Sequence, residues 1–305
     1  RNMVVVLLSA YNGEKYIKKQ VDSLLKQKDV DFKIIVRDDG SKDNTLGIIS
    51  EIAQQNDKIT IIKGQNVGFI ASFTDLVIYA SQHCLDADFF AFCDQDDLWY
   101  SDKLKKSVSA LSPYDKYLPL LFSCNSDLID KNAKKLGDYR SQAVEITKAN
   151  YLFNVDFQGC SMCFNRKALE LYAQHPPKAV CHDKWMSMIC NFLGVYVHSD
   201  EHLFGYRIHS DNAIGYKVGK GLKEKIIDKF NYWFGVNDSL SVYKAFYDTF
   251  HDQLNDASRK LLLNRMKYRK SLPSKVWLLR KRECCPSADF KSYIKYCIHL
   301  ILNRY

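Results

Sequence analysis

The stretch Phe89-Phe90-Ala91-Phe92-Cys93-Asp94-Gln95-Asp96-Asp97-Leu98-Trp99 drives an apolar, aromatic run straight into three carboxylates and then an indole. A short run of this kind suits a strand buried on both faces. The acids then fall where that strand leaves its sheet, and in open α/β sheets ligands bind at the carboxyl ends of strands. Three carboxylates this close repel one another, so a divalent cation, cationic partners or water must compensate them. The plain alternative is a solvated acidic turn capping the next helix, since Asp is common in turns. The rest of the chain has to decide.

Upstream, the same arrangement recurs. Val4 to Leu8 reads as a buried strand ending at Ser9-Ala10-Tyr11-Asn12-Gly13-Glu14. Phe32 to Val36 reads as a second, running into Arg37-Asp38-Asp39-Gly40-Ser41, and Ile59 to Ile62 as a third, followed by Gln65-Asn66-Val67-Gly68-Phe69. Helical stripes lie between them: Ile17, Val21, Leu24 and Leu25; then Leu46, Ile48, Ile49 and Ile52; then Phe73, Leu76, Val77 and Ala80. Ser101 can cap a further helix that carries Leu104, Val108 and Leu111. Strands alternating with such helices imply βαβ units and a parallel sheet covered on both faces. Polar, Gly-containing turns would then line one edge, which makes that edge a site. No Gly-x-Gly-x-x-Gly follows the first strand and no Gly-Lys-Ser/Thr loop is present. A bound cation is therefore the expected phosphate neutraliser.

Past Pro113 the pattern changes. Leu118 to Cys124 reads as a strand, with a turn over Asn125 to Asp130 and a polar loop from Asp130 to Asn150. Val155 to Phe164 reads as another strand, Asn165 to Ala173 as a helix, and His182-Asp183-Lys184-Trp185 as the start of a further helix. Gly194 to His198 and His202 to Ile208 look like paired strands. From Lys217 onward the chain reads as helical and basic, ending in a stripe of Phe290, Tyr293, Ile294, Cys297, Ile298 and Ile301 beside Lys291, Lys295 and His299.

With 305 residues, 47% of them hydrophobic and 13% aromatic, the chain can fill a packed core, which excludes disorder as its class. Met3 to Leu8, its longest apolar run, is far too short to span a bilayer or serve as a leader. The 10 cysteines show no paired metal spacing, so buried free thiols in a reducing, cytosolic compartment are expected. The net charge of +9 is uneven. Residues 216–305 are strongly basic, whereas residues 1–215 are close to neutral, so the tail is expected to meet something anionic. Lipid headgroups and nucleic acid are both candidates. The tail has no zinc spacing or RNA-binding signature, and its apolar stripes suit a helix lying in a membrane interface, so a basic nucleic-acid-binding protein stands only as the non-enzyme alternative.

The runs Ser9–Glu14, Asp38-Asp39-Gly40-Ser41, Asn66-Val67-Gly68-Phe69 and Asp94–Trp99, in that order and spacing, resemble the family-two inverting glycosyltransferases of GT-A fold. The Asp-Gln-Asp-Asp-hydrophobic-Trp form, the later His-Asp-x-Trp and the Tyr206-Arg207-Ile208-His209 segment look most like bacterial rhamnosyltransferases. The resemblance covers roughly residues 3 to 215. It implies a Rossmann-like, mostly parallel central sheet with helices on both faces over residues 1–215, and the charge and helical pattern of residues 216–305 set these apart as a basic helical region. It further implies transfer of a sugar, L-rhamnose from dTDP-β-L-rhamnose first and a UDP-sugar (glucose, galactose or N-acetylhexosamine) second, to a saccharide or lipid-linked glycan at the cytoplasmic face of the cell membrane.

Carried over by position, Ser9, Ala10, Tyr11 and Glu14 would line the nucleotide pocket. Asp38 and Asp39 would accept from the pyrimidine, and Asp94 would take the ribose region. Asp96, with His209, would hold Mg²⁺ or Mn²⁺, and Asp97 would support the turn. Asp183 matches the base position, though without the family an acid in a first helical turn needs no catalytic reason. His182 departs from the Glu common there and leaves the tuning of that base open. Arg207 would contact the pyrophosphate, and Gln158 with Gly159 would form the floor. Trp99 and the remaining histidines are expected in the core or on the surface. A nucleotidyltransferase is the other enzyme class, but its Gly-rich basic start is missing.

Overall fold

The computed structural model describes residues 2–139, 146–153, 158–209, 240–285 and 289–305. The chain divides into two compact units, Arg1–Ser141 with Phe157–Asn212, and Gln142–Asp156 with Ala213–Tyr305.

The elements run β1 (Met3–Ala10), α1 (Ile17–Leu24), β2 (Asp31–Asp38), α2 (Thr45–Gln54), β3 (Ile59–Lys63), α3 (Phe69–His83) and β4 (Phe89–Cys93). Then come β5 (Leu98–Trp99), α4 (Lys103–Leu111), β6 (Leu120–Ile129), β7 (Lys135–Tyr139) and α5 (Lys148–Tyr151, in the second unit). β8 (Cys163–Asn165), α6 (Arg166–Gln174), α7 (His182–Leu193) and β9 (Val195–Arg207) complete the first unit. Its sheet has the order β3-β2-β1-β4-β8-β6-β9-β5, with β7 paired to β6. β1 lies parallel to β2 and to β4, β2 to β3, and β6 to β9; β8, β5 and β7 are antiparallel to their neighbours. The sheet is thus mostly parallel in strand direction, as expected of an α/β protein.

Register creates the site. Ala10 lies beside Asp38 and Asp38 beside Lys63, so three strands end at one level of the sheet, and β4 ends two residues earlier, with Cys93 beside Leu8. Val4 to Leu8 and Phe90 to Cys93 are essentially inaccessible, because βαβ crossovers cover both faces. This anchors the exits on rigid backbone.

Several sequence expectations shift downstream. β6 continues through Asn125–Ile129 instead of turning, since its polar residues find partners: Ser126 donates to Gln158 (3.1 Å) and Tyr100 to Asp127 (2.5 Å). The segment read as loop from Asp130 holds β7, paired with β6. The paired strands expected over 194–208 are one long strand, β9, which runs parallel to β6 and slips register around Ser199–His202. The strand expected over Val155–Phe164 is a 3₁₀ turn, Gly159–Ser161, before the short β8, and residues 154–157 lie outside the described residues. α4 begins after Asp102, and no side-chain cap is made there by Ser101.

The second unit contains α5 with α8 (Leu240–Phe250), α9 (Asp256–Lys267), α10 (Leu272–Leu279) and α11 (Phe290–Ile301). Asn255, Ser271 and Asp289 cap the last three, each accepting from the backbone N–H three residues on. Arg265, fully buried, centres this unit: its guanidinium lies 5.1 to 5.3 Å from the ring centroids of Tyr243, Phe153 and Tyr268 and donates to the Leu152 carbonyl. That arginine is why a short mid-chain segment folds with the C-terminal helices. The helical reading of 217–239 lies outside the described residues. No helix among the described residues is long and apolar enough to cross a membrane.

Candidate active site

The first strand exit is tied to the fourth by an amide. Gln95 accepts from the Tyr11 N–H (2.8 Å) and donates to the Tyr11 carbonyl (3.0 Å). A side chain at Gly13 would collide with this carboxamide, which explains the glycine. Sequence reasoning missed Gln95, although an amide set between Asp94 and Asp96 was the available signal. Tyr11 is 38% exposed and so faces the open side of the exit, whereas Ala10 is buried and Ser9 shares a hydrogen bond with Ser72 (2.6 Å). Glu14 accepts from the Asn44 N–H (3.0 Å) and fixes the start of α2.

At the second exit, neighbouring aspartates differ. Asp39 accepts from Arg37 (2.5 Å), Val67 N–H (3.0 Å) and Gly68 N–H (3.0 Å), so both its oxygens are engaged and it clamps the third exit. Asp38 is also buried, but it accepts only from Ser41 N–H and leaves Oδ1 without a partner. Gly40 makes the bend between them at φ 75°, a conformation glycine adopts without strain. Arg37, another residue missed from sequence, also pairs with Asp75 (2.9 Å).

The acidic turn occupies the centre. Burial and the negative charges of Asp96 and Asp183 push the Asp94 carboxyl up to about 7. Asp97 is wholly buried; it accepts from the Arg207 backbone N–H (3.2 Å), leaves Oδ2 unpaired, and is held well above the usual carboxylate range by desolvation and its acidic neighbours. Asp96 faces the His209 imidazole, Oδ2 to Nε2 at 2.8 Å. The His209 ring lies 4.9 Å from that of Tyr16, tilted by 34°. Among the described residues no lysine or arginine side chain pairs with these three carboxylates.

A carboxylate and an imidazole facing each other, with no lysine or arginine paired to the carboxylate among the described residues, fit the oxygen-and-nitrogen donor set of a divalent ion. Asp94, Asp97 and Cys160 also converge within 4.8 Å. Burial pushes the Asp97 carboxyl and the Cys160 thiol well above their ordinary ranges, however, which works against the anionic forms a metal ligand needs.

Asp183 sits in the first turn of α7, where Lys184 N–H donates to it at 2.6 Å, and it is close enough for its charge to act on Asp94. Its neighbour His182 is buried, stacked on Phe73 at 3.8 Å and edge-on to Phe92 at 4.7 Å, and desolvation lowers it to about 4. His182 is therefore a neutral core side chain. A side chain at Gly159 would strike His182 Nε2. Gln158 lies next to that glycine, held by Ser126.

Arg207 is fully buried and donates to the carbonyls of Asp96 (2.7 Å), Asp130 (2.8 Å) and Lys131 (3.1 Å), with its guanidinium 4.8 Å from the Tyr16 ring centroid. It holds the acidic turn from behind. Trp99 is in the core, with the buried Lys103 ammonium 3.6 Å above its ring.

Comparison with known proteins agrees with this geometry. The model of "Glycosyl transferase family 2" matches residues 5–172, more than half of the chain. A dTDP-rhamnosyl transferase, RfbG of Shigella flexneri, is 31% identical over 180 residues, 53% of this chain and 55% of RfbG. A hyaluronan synthase of Pasteurella multocida is 26% identical over 277 residues, 86% of this chain and 26% of the synthase. The chain thus spans about half or less of the length of these relatives. Among solved structures, S. aureus TarS in complex with UDP-GlcNAc superposes with a TM-score of 0.59 at 16% identity, covering 100% of this chain and 82% of that one. Mannosyltransferase PcManGT of Pyrobaculum calidifontis, in complex with GDP-Man and Mn²⁺, gives 0.55 at 14% identity, covering 99% and 80%. These neighbours are GT-A glycosyltransferases, and they share the fold described here. The strand exits, the acidic turn and the family match together make this chain a member of glycosyl transferase family 2.

Proposed function

We propose that the chain is a metal-dependent, inverting glycosyltransferase that moves L-rhamnose from dTDP-β-L-rhamnose to a saccharide or lipid-linked glycan acceptor in cell-surface polysaccharide synthesis. The observation that carries this reading is the placement of Asp183 against the Asp94–Asp96 turn, close enough for its charge to raise Asp94. A base and a diphosphate site then share one pocket.

Asp38 Oδ1, buried and unpartnered, accepts from the pyrimidine ring N–H. Tyr11, Ala10 and Ser9 form the adjoining wall, with Glu14 fixing the start of α2 and Asp39 fixing the third exit. Asp94 takes the ribose hydroxyls, and Asp96 with His209 would hold Mg²⁺ or Mn²⁺. When bound, that ion neutralises the charge that develops on the departing diphosphate. Arg207 serves as a positioning residue, because its donors go to the carbonyls behind the turn. Gln158 borders the floor that receives the sugars. Asp183 takes the proton of the acceptor hydroxyl as its oxygen bonds to the anomeric carbon and the bond from that carbon to the diphosphate oxygen breaks on the opposite face, which inverts the centre.

UDP-sugars form the second donor class, since uracil presents the same ring N–H to Asp38 as thymine does. The deciding experiment is a thermal-shift screen of dTDP- and UDP-sugars with Mn²⁺ or Mg²⁺, in which the true donor gives the largest metal-dependent rise in Tm. Equal rises for dTDP-rhamnose and unrelated nucleotide sugars would remove the rhamnosyl assignment.

A further inference from the structure

We propose that the exposed faces of α10 and α11 form a docking surface for a bilayer containing anionic lipid. The proposal deepens the reading of a lipid-linked acceptor and rests on it for its use, but the surface is argued from its own geometry.

On α11, Phe290, Ile294 and Ile301 are 72%, 37% and 58% exposed. Their spacing of four and eleven residues puts them on one stripe, while Tyr296, His299 and Leu300 turn inward. On α10, Leu272 and Val276 are 72% and 37% exposed, one turn apart, and Ser274 and Leu278 are buried. The helices lie side by side and antiparallel: Lys275 Nζ donates to the Ile301 carbonyl (3.3 Å) at one end, and Tyr296 donates to the Leu278 carbonyl (2.8 Å) at the other. Each helix therefore turns an apolar stripe outward, on the side opposite its buried residues. Isolated exposed hydrophobes are ordinary, but a stripe on two adjoining helices marks an interaction surface.

Charge selects the occupant. The span 272–301 that carries the stripes also carries Lys275, Arg280, Lys281, Arg282, Lys291 and Lys295. The acids in the same span are Glu283, which pairs with Lys281 (3.1 Å), and Asp289, which caps α11. A second copy would bring one basic span against another, which is unfavourable. Nucleic acid would satisfy the charges and leave the apolar stripes in water. An anionic bilayer satisfies both: the stripes enter the headgroup boundary and the basic side chains meet lipid phosphates. With 12 residues, α11 is too short to span a membrane, so it would lie in the interface plane.

The test is flotation of the full chain with vesicles of phosphatidylcholine alone or mixed with phosphatidylglycerol. The expected result is co-flotation at least about tenfold stronger with phosphatidylglycerol and reversed by salt. A Phe290→Ser/Ile294→Ser double variant and an Arg280→Glu/Lys291→Glu double variant are each expected to lose about tenfold, with circular dichroism and Tm unchanged. Undiminished flotation of both variants, no flotation of the folded wild type, or a dimer by light scattering that the double variants dissolve in the absence of lipid would each overturn the proposal. Asp183→Asn is expected to float like the wild type while losing transfer. Transfer to a soluble acceptor without flotation would sink the docking surface alone, leaving the reaction in place.

Discussion

Two clusters in the first unit share nearly the same chemistry and behave oppositely. Past the end of β4, Asp96 meets His209 while the charge of Asp96 acts on Asp94; Asp127, Asp138 and His202 meet across β6, β7 and β9. In the second cluster Lys135 pairs with Asp127 (2.7 Å) and Asp138 (2.8 Å), while Tyr100 and His202 also bond Asp127. These partners outweigh desolvation and pull the Asp127 carboxyl below its usual range. In the first cluster Asp96 meets the His209 imidazole (2.8 Å), Arg207 is turned to backbone carbonyls, no lysine or arginine side chain among the described residues pairs with the acids, and Asp94 rises to about 7. On the reading proposed above, a carboxylate cluster serves as a ligand site where no lysine or arginine among the described residues supplies the counter-charge. Where the protein supplies the counter-charge, the cluster is a brace.

This contrast can be broken or sharpened by substitution. The largest effect is expected at Asp183→Asn, which should lower transfer by about 10²–10⁴-fold, the usual contribution of a general base, with Tm unchanged. Normal turnover in a folded variant would remove the base assignment. Next, Asp96→Asn should abolish the Mn²⁺-dependent part of nucleotide binding, measured by calorimetry with and without EDTA. A variant that still binds dTDP more tightly with Mn²⁺ would place the ion elsewhere. Asp127→Asn should do the reverse, costing about 1–3 kcal/mol of stability in urea unfolding and leaving the Mn²⁺ response intact.

The smallest effect is on pH dependence. With Asp94 near 7 in the folded protein against 3.8 in the unfolded chain, the folded state holds the extra proton, so this contribution is fully present below about 3.8 and is lost as pH rises through about 7. Ion-free protein should therefore melt a few degrees lower at pH 8 than at pH 5 relative to Asp94→Asn, and Mn²⁺ should stabilise the wild type more at pH 8. A wild type and variant with parallel Tm profiles would count against an uncompensated Asp94.

Much of this was legible in the sequence where local pattern and tertiary structure agree. The four βα units of residues 3–111 follow from apolar runs and helical stripes, and the strand exits follow from the polar turns. The second half was harder to read, because tertiary partners override local pattern there. Asn125 to Asp127 reads as a turn, yet Gln158, Tyr100 and Lys135 let it stay in β6. Gly194–Ile208 reads as a hairpin because Ser199 to Glu201 is polar, whereas β9 absorbs those residues as an irregularity against β6. Within the site, residue types were visible and allegiances were not. Asp38 and Asp39 are indistinguishable in sequence, and only packing shows that Asp39 clamps Val67 and Gly68 while Asp38 keeps an oxygen free. Arg207 likewise reads as a phosphate ligand until its carbonyl partners are seen.

We propose that the lack of a lysine or arginine partner for the acids at the β4 exit among the described residues, and not acid content, marks a metal–diphosphate site. The most direct measurement is Mn²⁺ binding by electron paramagnetic resonance in the presence of dTDP, on wild type, Asp96→Asn and Asp127→Asn. Wild type and Asp127→Asn are expected to bind Mn²⁺ alike and Asp96→Asn to lose it. Retained binding by Asp96→Asn, or loss in a folded Asp127→Asn, would contradict the account.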